Sequence, residues 1–558
     1  MRVQVIKIVL CLCLIAVVVR LFYWQVIRKD DLVAAGEGQY LKSVKVAAQR
    51  GKIFFSDGSV LASTQPSFTL FAEPKVIKDD DKGRIAQDLA KTISQDQNDI
   101  LSQLKKDLFW VPIKKNIDLS LKKNIEALKI KGIGFEKESL RFYPEGSSSA
   151  HLLGFVGYSA KGERVGYFGL EGFYNGELKG FAGRYRFEKD ALGLPILIGQ
   201  FINFSPVRGK NLFLNIDRTA QFIMEKNLKA GIEKYGAKGA LGLIMDPGSG
   251  AILAMAAYPN YDPLEFGQFP KEYYKNPLIA DQYEPGSTFK VLVMSAALNE
   301  DVIKSDTKCD ICAGPISLGG FLIRTWNNKY FPETSMQDVI VHSDNTGMVY
   351  VGKKLGLDKM YSYLENFGLG SLTGIDLQDE SLVDLRPKNS WREIDLATTS
   401  FGQGIAVTPI QMIRAVAAVA NGGYLMEPQV VKKIEDERIS FEIKPKVIRE
   451  VIKETTAKIM TEMMVRAVSE GEAKFAKPKG FKIAGKTGTA QIPIAGHYDP
   501  NKTIASFVGF APADNPKFVM LIKYDHPQTS PYGSETAAPT FFEIAKELFA
   551  YYKIAPSE

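Results

Sequence analysis

From Ile8 to Val19 the chain reads IVLCLCLIAVVV, with no charged position, and after Arg20 the apolar character resumes in LFYWQVI. Ile8 to Ile27 is about 20 residues, or roughly 30 Å of helix, enough to cross a bilayer. Arg20 lies toward one end, where its side chain can snorkel, and Tyr23 and Trp24 suit the interface. Arg2 and Lys7 precede the span and Arg28 and Lys29 follow it, so the flanking charges are nearly balanced. A cleaved signal peptide is the rival reading, but its candidate site, Val33-Ala34-Ala35, lies well beyond the apolar run and follows four charges. The pattern reads as a cytoplasmic tail (1–7), one retained transmembrane helix (8–27), and the remainder outside.

Beyond the span, 28–45 is polar and helix-compatible, as a stalk would be. From Gly51 strand patterns take over in KIFF, SVLAS and SFTLFAEP, with an SDG turn between the first two. Over 79–129 Leu and Ile recur at helical spacing among Lys, Asp and Gln, which predicts helical segments. GIGFEK and ESLRFYP read as strands, and 154–183 is glycine-rich. No cluster of catalytic side chains occurs in 28–208, which reads as an elongated, mixed α/β pedestal for docking or dimerisation.

A second unit, 209–556, opens with NLFLNID and a polar helix from Thr219 to Tyr235. ALGLIMDPGSGAILAMAAYP predicts a hairpin around a DPGSG turn. Helices follow Ser287 and begin near Asn345. Another is capped at Thr408-Pro409 and stopped by Asn421-Gly422-Gly423. FKIAGKTGTAQI, IASFVGFAP and KFVMLIKY read as strands before a terminal helix, PTFFEIAKELFAYY. The expected class is a multi-domain α+β protein whose C-terminal domain is an antiparallel sheet flanked by helices.

With 558 residues, 45% hydrophobic and 24% charged, the chain suits two or three folded domains and gives no sign of general disorder. The net charge of +7 is small for this length. It suits an anionic membrane surface or polyanionic wall polymers and makes no case for nucleic acid. Cys11 and Cys13 lie in the span. Cys309-Asp-Ile-Cys312 is half a zinc site with no second half, so a local disulfide or two thiols are expected, with no metal and no cofactor.

Three short elements carry candidate chemistry. In EPGSTFK, Pro285-Gly286 breaks the chain before an apolar helix, so Ser287 sits at a helix start, with Lys290 one turn on and on the same face. An alcohol becomes a nucleophile when a base is within reach, and a lysine whose pKa is lowered by burial and a nearby cation can serve. The bland alternative is a capping serine and a solvated lysine. Ser343-Asp344-Asn345 places a hydroxyl and a carboxamide on one turn, able to relay a proton and hold an amide, or simply to cap a helix. Lys486-Thr487-Gly488-Thr489 lies on a strand whose lysine and hydroxyls can bind a carboxylate, while the glycine allows close approach of a helix. Strict alternation separates Lys486 from Thr489, so a shared site implies a bulge or twist at Gly488. GFKIAGKT formally matches a phosphate-binding loop, but strand-like residues replace its flexible loop and no helix follows.

The three elements occur in the order found in penicillin-binding proteins and class A β-lactamases. Together with RGKIFFSDGSVLA, GLEGFYNGEL, MDPGSGAILAMAAYPNYDP, FGQGIAVTPIQM and IAGKTGTAQ, they make the chain resemble class B penicillin-binding proteins, membrane-anchored D,D-transpeptidases of the bacterial wall. Length, the short tail and CAGPISLGGFLIRTWNN lean toward the cell-division subgroup, hence septal synthesis. The resemblance implies that Ser287 is the nucleophile, Lys290 its base and Ser343 a relay. Asn345 holds the donor amide, and Lys486, Thr487 and Thr489 take the terminal carboxylate beside Gly488. The backbone N–H groups of Ser287 and Thr489 form the oxyanion hole. It also implies peptidoglycan stem peptides as substrate, β-lactams as trapped ligands, a catalytic domain outside the cytoplasmic membrane, and, as partners, an integral-membrane glycan-polymerising glycosyltransferase and other wall-synthesis proteins. The alternatives are an elongation-type transpeptidase, a D,D-carboxypeptidase, and a non-catalytic scaffold or β-lactam sensor. A β-lactamase is disfavoured by length and by the lack of an identifiable base for water.

Overall fold

The computed structural model describes residues 2–188, 201–494 and 497–557. These fall into two compact units: one of residues up to 50 and 179–209, the other of 51–178 and 210 onward.

In the first unit a helix Arg2–Phe22 continues through a wider turn, Tyr23–Ile27, into a second helix, Lys29–Tyr40. Arg20 lies over the rings of Tyr23 and Trp24 at 5.9 and 5.3 Å, the aromatic–cation grouping expected near a membrane interface. The stalk is helical only to Tyr40; Leu41–Val46 is a strand that pairs with Gly183–Glu188, which in turn pairs with Phe201–Phe204.

Among the described residues the second unit holds two large sheets and three two-stranded ones. The first runs in the order Ser440–Glu442, Val431–Glu435, Asn211–Leu214, Ile53–Phe54, Val60–Ala72, Val111–Ile117, with Ile133–Phe142 also paired to Val60–Ala72. Three sequence expectations change here. SVLAS and SFTLFAEP are one strand that runs through Pro66, and GIGFEK and ESLRFYP are also one. The 79–129 region is not helical throughout, because Val111–Ile117 is a strand between helices; it buries Val111, Ile113 and Ile117 on the period of two. Leu212 and Leu214, near the start of the expected second unit, belong to this sheet and are buried in it. Arg141 and Glu171, both buried, pair at 2.6 Å, and Tyr174 donates to Asp376 at 2.8 Å. The part of the pedestal from Gly51 to Leu178 therefore packs as one body with residues that follow 210.

The second sheet is five-stranded and wholly antiparallel, in the order Ile252–Tyr258, Gly239–Met245, Phe518–Asp525, His497–Ala511, Ala484–Ile494. The DPGSG hairpin is present, with Asp246 bonding Gly248 N and Ser249 Oγ. One face packs on the helices Arg218–Tyr235 and Ala537–Tyr551 through Met224, Phe507, Met520, Phe541 and Phe542. The other carries Val508, Val519 and Leu521 against the helices Lys290–Asn299 and Pro409–Ala420. Pro409–Ala420 starts at a Thr408/Gln411 capping box. Lys290 to Leu298 is buried at every position, and at roughly 1.5–3 kcal/mol per buried large apolar side chain this helix is a fixed reference against which a nucleophile can be aimed.

Candidate active site

Gly286–Phe289 forms one tight turn that runs directly into the helix Lys290–Asn299. Gly286 holds φ +56°, a conformation that suits glycine, and its N–H bonds Gly402 O at 3.0 Å. The turn is fastened locally by Thr288 Oγ1 donating to Pro285 O at 2.8 Å. No side chain caps it. Ser287 is therefore not a capping serine; it is half-buried and lines a cleft of about 500 Å³.

Lys290, fully buried, reaches the Ser343-Asp344-Asn345 turn, with Nζ 2.6 Å from Ser343 O, 2.8 Å from Asn345 Oδ1 and 3.3 Å from Ser343 Oγ. That turn lies between the helices Met336–Val341 and Asn345–Leu355, and Ser343 adopts φ +57°, the left-handed region that costs a non-glycine residue energy and recurs at functional sites. Asp344 caps the second helix through Thr346 N at 2.7 Å and Gly347 N at 3.2 Å, as capping chemistry predicts. Its Oδ2 is buried without a hydrogen bond. Asn345 Nδ2 donates to Arg324 O at 2.9 Å, which holds its Oδ1 toward Lys290.

Lys486 Nζ lies 2.9 Å from Ser343 Oγ and 3.3 Å from both Thr487 O and Thr487 Oγ1. The edge strand keeps continuous register from Ala484 to Gln491, so the bulge expected at Gly488 is not there. Thr487, Thr489 and Gln491 share one face and line the cleft. Lys486 starts from the opposite face and its long, buried side chain carries the ammonium to Ser343; side-chain length does what a backbone irregularity was expected to do. Gly488 provides the close approach: a Cβ there would stand 2.9 Å from Thr288 Cγ2 and 3.1 Å from Pro285 O. Thr489 Oγ1 accepts from Gly533 N at 3.1 Å, leaving its proton to donate. The strand runs on to Ile494 with no helix after Thr487, so the phosphate-loop match is coincidental.

Electrostatics favour a neutral base. Burial, then the Lys486 ammonium, hold Lys290 well below the usual lysine value, against the opposing pull of Asp344 and Glu472. Burial pushes Lys486 down to about 8, with Glu472 working the other way. A neutral Lys290 amine spends its two N–H groups on Ser343 O and Asn345 Oδ1, which can only accept. Its lone pair is left to take a hydroxyl proton.

All eight expected residues thus converge. Ser287, Ser343, Asn345, Thr487 and Thr489 line the cleft, Lys290 and Lys486 lie beneath it, and Gly488 lies where strand and turn touch. Sequence reading missed Arg324, Trp326, Gln403, Glu472 and Tyr532, which also line it. Trp326 and Tyr532 meet edge to face at 5.5 Å, from segments more than two hundred residues apart that no periodicity connects.

Family comparison agrees with this geometry. Residues 240–547 match the penicillin-binding protein transpeptidase domain, and 45–214 match the penicillin-binding protein dimerisation domain. The chain belongs to the penicillin-binding transpeptidase family. Stage V sporulation protein D of Bacillus subtilis is 32% identical over 96% of this chain and 83% of its own. The peptidoglycan D,D-transpeptidase FtsI of Escherichia coli is 30% identical over 96% of this chain and 89% of its own. The crystal structure of penicillin-binding protein 2X from Streptococcus thermophilus superposes with a TM-score of 0.75 at 27% identity, covering 91% of this chain and 80% of that one. In this penicillin-binding transpeptidase, Cys309 and Cys312 form a disulfide, one of the two states expected for them. The apolar helix Arg2–Ile27 is long enough for a single-pass anchor.

Proposed function

We propose that this penicillin-binding transpeptidase is a serine D,D-transpeptidase that cross-links peptidoglycan stem peptides and is acylated by β-lactams. The observation that carries the reading is the buried pair Lys290 and Lys486 meeting at Ser343 Oγ beneath a cleft lined by Ser287.

Ser287 Oγ attacks the carbonyl carbon between the two terminal D-alanines, and its proton passes to the neutral amine of Lys290. The oxyanion is held by the backbone N–H groups of Ser287 and Thr489, one such donor being worth about 2.7–4 kcal/mol. As the C–N bond breaks, the proton on Lys290 travels through the Ser343 hydroxyl to the departing nitrogen, and D-alanine leaves. Lys486, Thr487 and Thr489 bind the substrate's terminal carboxylate, and Asn345 its amide. An amine of a neighbouring stem then attacks the acyl-serine ester, Ser287 recovers its proton, and a cross-link remains. A β-lactam follows the first half and stays on Ser287.

The chain is read as a single-pass protein of the cytoplasmic membrane with residues after the span outside, since the substrate is there. Residues 28–208 are read as the pedestal and 209–556 as the transpeptidase domain. An integral-membrane glycosyltransferase as partner, and the septum as place of action, rest on the family resemblance.

The test is covalent labelling of the purified full-length protein by a fluorescent penicillin, beside Ser287→Ala. A stable adduct on the wild type, absent from a folded Ser287→Ala, is expected. A folded wild type that takes no label overturns the enzymatic reading in favour of a scaffold.

A further inference from the structure

Acylation and cross-linking differ in how many protons they move. In acylation one proton goes from Ser287 to the departing nitrogen, and the Lys290–Ser343 pair carries it. In cross-linking the acceptor arrives at neutral pH as an ammonium with three protons and ends as an amide with one. One of the two it sheds returns to Ser287 through Lys290. The other needs a second base.

Among the described residues lining the cleft there is one carboxylate, Glu472, and one cationic side chain, Arg324. Glu472 lies in the turn between the helix Glu454–Ser469 and the short helical turn Lys474–Ala476, and its exposed side chain lines the cleft. Its neighbour Glu470 is engaged by Arg466 at 2.8 Å, whereas among the described residues no hydrogen bond or ion pair holds Glu472. Gly471, where a Cβ would meet Ala467 O and Val341 O, fixes the turn against the helix end. The titratable groups that face the Glu472 carboxylate are Lys486, Lys290, His342 and Glu535. No proton transfer in acylation passes through it.

We infer that Glu472 is the base that receives the acceptor ammonium in the second half-reaction. The ammonium gives one proton to the Glu472 carboxylate, and the neutral amine attacks the Ser287 ester carbon. The tetrahedral adduct gives its second proton, through Lys290, to Ser287 Oγ as the ester C–O bond breaks. Water, which enters neutral, does not need this step, so Glu472 biases the acyl-enzyme toward amine over water. The inference rests on the transpeptidase reading above.

The test uses the full-length protein, a D-Ala-D-Ala pentapeptide donor and deuterium-labelled D-alanine as probe acceptor, the label distinguishing the aminolysis product from the donor. It reads three quantities: penicillin acylation rate, donor hydrolysis, and the ratio of aminolysis to hydrolysis. Glu472→Gln is expected to keep the maximal acylation rate and donor hydrolysis within about twofold, with the acylation profile moved to lower pH because its upward pull on Lys290 and Lys486 is lost, while lowering the ratio about tenfold or more. Glu472→Asp restores most of the ratio. The deficit of Glu472→Gln shrinks as pH rises and the acceptor enters already neutral, a signature that a structural role would not produce. An equal loss of the maximal acylation rate means that Glu472 serves only to set up the lysines, and a selective loss of hydrolysis means that it activates water; either overturns the inference. Failure of the wild type to acylate at all overturns the transpeptidase reading itself.

Discussion

Lys290 Nζ and Lys486 Nζ converge on a single hydroxyl, Ser343 Oγ, at 3.3 and 2.9 Å. Both lysines are buried, at 0% and 3% exposure, so two cations would share a site nearly without water. The arrangement is stable with one of them neutral. Lys486 then donates to Ser343 Oγ, and the Ser343 hydroxyl donates to the lone pair of Lys290. One residue becomes a base because its neighbour keeps its charge.

The pH dependence of penicillin acylation follows from this division. The rate rises with pH as Lys290 loses its proton, at a pH well below the usual lysine range. It falls again as Lys486, pushed down to about 8, gives up the charge that binds the carboxylate. Lys486→Gln removes the neighbouring cation, so Lys290 holds its proton more tightly. The expected profile for that variant has its acid limb at higher pH and lacks the limb near 8. Stopped-flow acylation from pH 5 to 10 reads both limbs; an unmoved acid limb would mean that Lys486 does not tune Lys290.

The same burial carries a cost in stability with a defined sign. The folded-state pKa of Lys486 lies below the unfolded value of 10.5, so the unfolded chain binds more protons between them. Stability from this group is therefore lost as pH falls through about 8 and recovered as pH rises toward 10.5. Lys486→Met abolishes that dependence. Relative to wild type it gains stability at pH 7, by about 1–3 kcal/mol if the lost hydrogen bonds are minor, and the gain shrinks by pH 10. Urea unfolding at the two pH values measures the difference, and a gain that grows with pH would contradict the assignment.

Much of this architecture was legible in the sequence, and the exceptions have physical causes. The DPGSG hairpin, the Thr408 cap and the helix at Asn345 announce themselves through turn and capping residues, which act locally. The Val111–Ile117 strand does not, because Lys114, Lys115 and Asn116 obscure a short alternation that only its sheet neighbour stabilises. Pro66 looks like a break between strands, yet it is carried through by pairing opposite Ser139. Ser287, Lys290, Ser343 and Lys486 were found by their order along the chain, while the convergence of the two lysines on Ser343 Oγ is a tertiary fact. Glu472 sits in a polar stretch with no motif, and Arg324 follows the apolar Phe321–Ile323 with nothing to mark it as a site residue, so only the folded cleft distinguishes them from solvated charges.

Asp344 has two functions that one pair of substitutions can separate. Its Oδ1 caps the helix Asn345–Leu355, while its charge raises the pKa of Lys290. Asp344→Asn keeps an oxygen for the cap and removes the charge, so Lys290 becomes easier to deprotonate. The acid limb of acylation is expected to shift to lower pH with little loss of stability. Asp344→Ala loses both, and the missing cap costs about 1 kcal/mol or more. Acylation profiles with thermal melts test the pair, and identical behaviour of the two variants would refute the separation.

Gly488 is the contact on which the distance between nucleophile turn and edge strand depends. A methyl group there would meet Ser506 Oγ, Thr288 Cγ2 and Pro285 O, the last two at 2.9 and 3.1 Å. The Ser506 hydroxyl can rotate, but Pro285 O is backbone and Thr288 is fully buried next to Ser287. Gly488→Ala therefore pushes the turn away from the strand, and with it Ser287 from Lys486, Thr487 and Thr489. A displacement approaching 1 Å lowers acylation about 10²-fold. The fold loses only the modest amount typical of an overpacked contact, about 1–3 kcal/mol. Gly314→Ala, where the added carbon meets nothing within 4 Å, is the matched control and leaves both quantities unchanged. Penicillin acylation rates for the two variants, set beside their melting temperatures, decide the matter. If Gly488→Ala acylates at the wild-type rate, the strand yields without moving the nucleophile, and the close approach is packing alone.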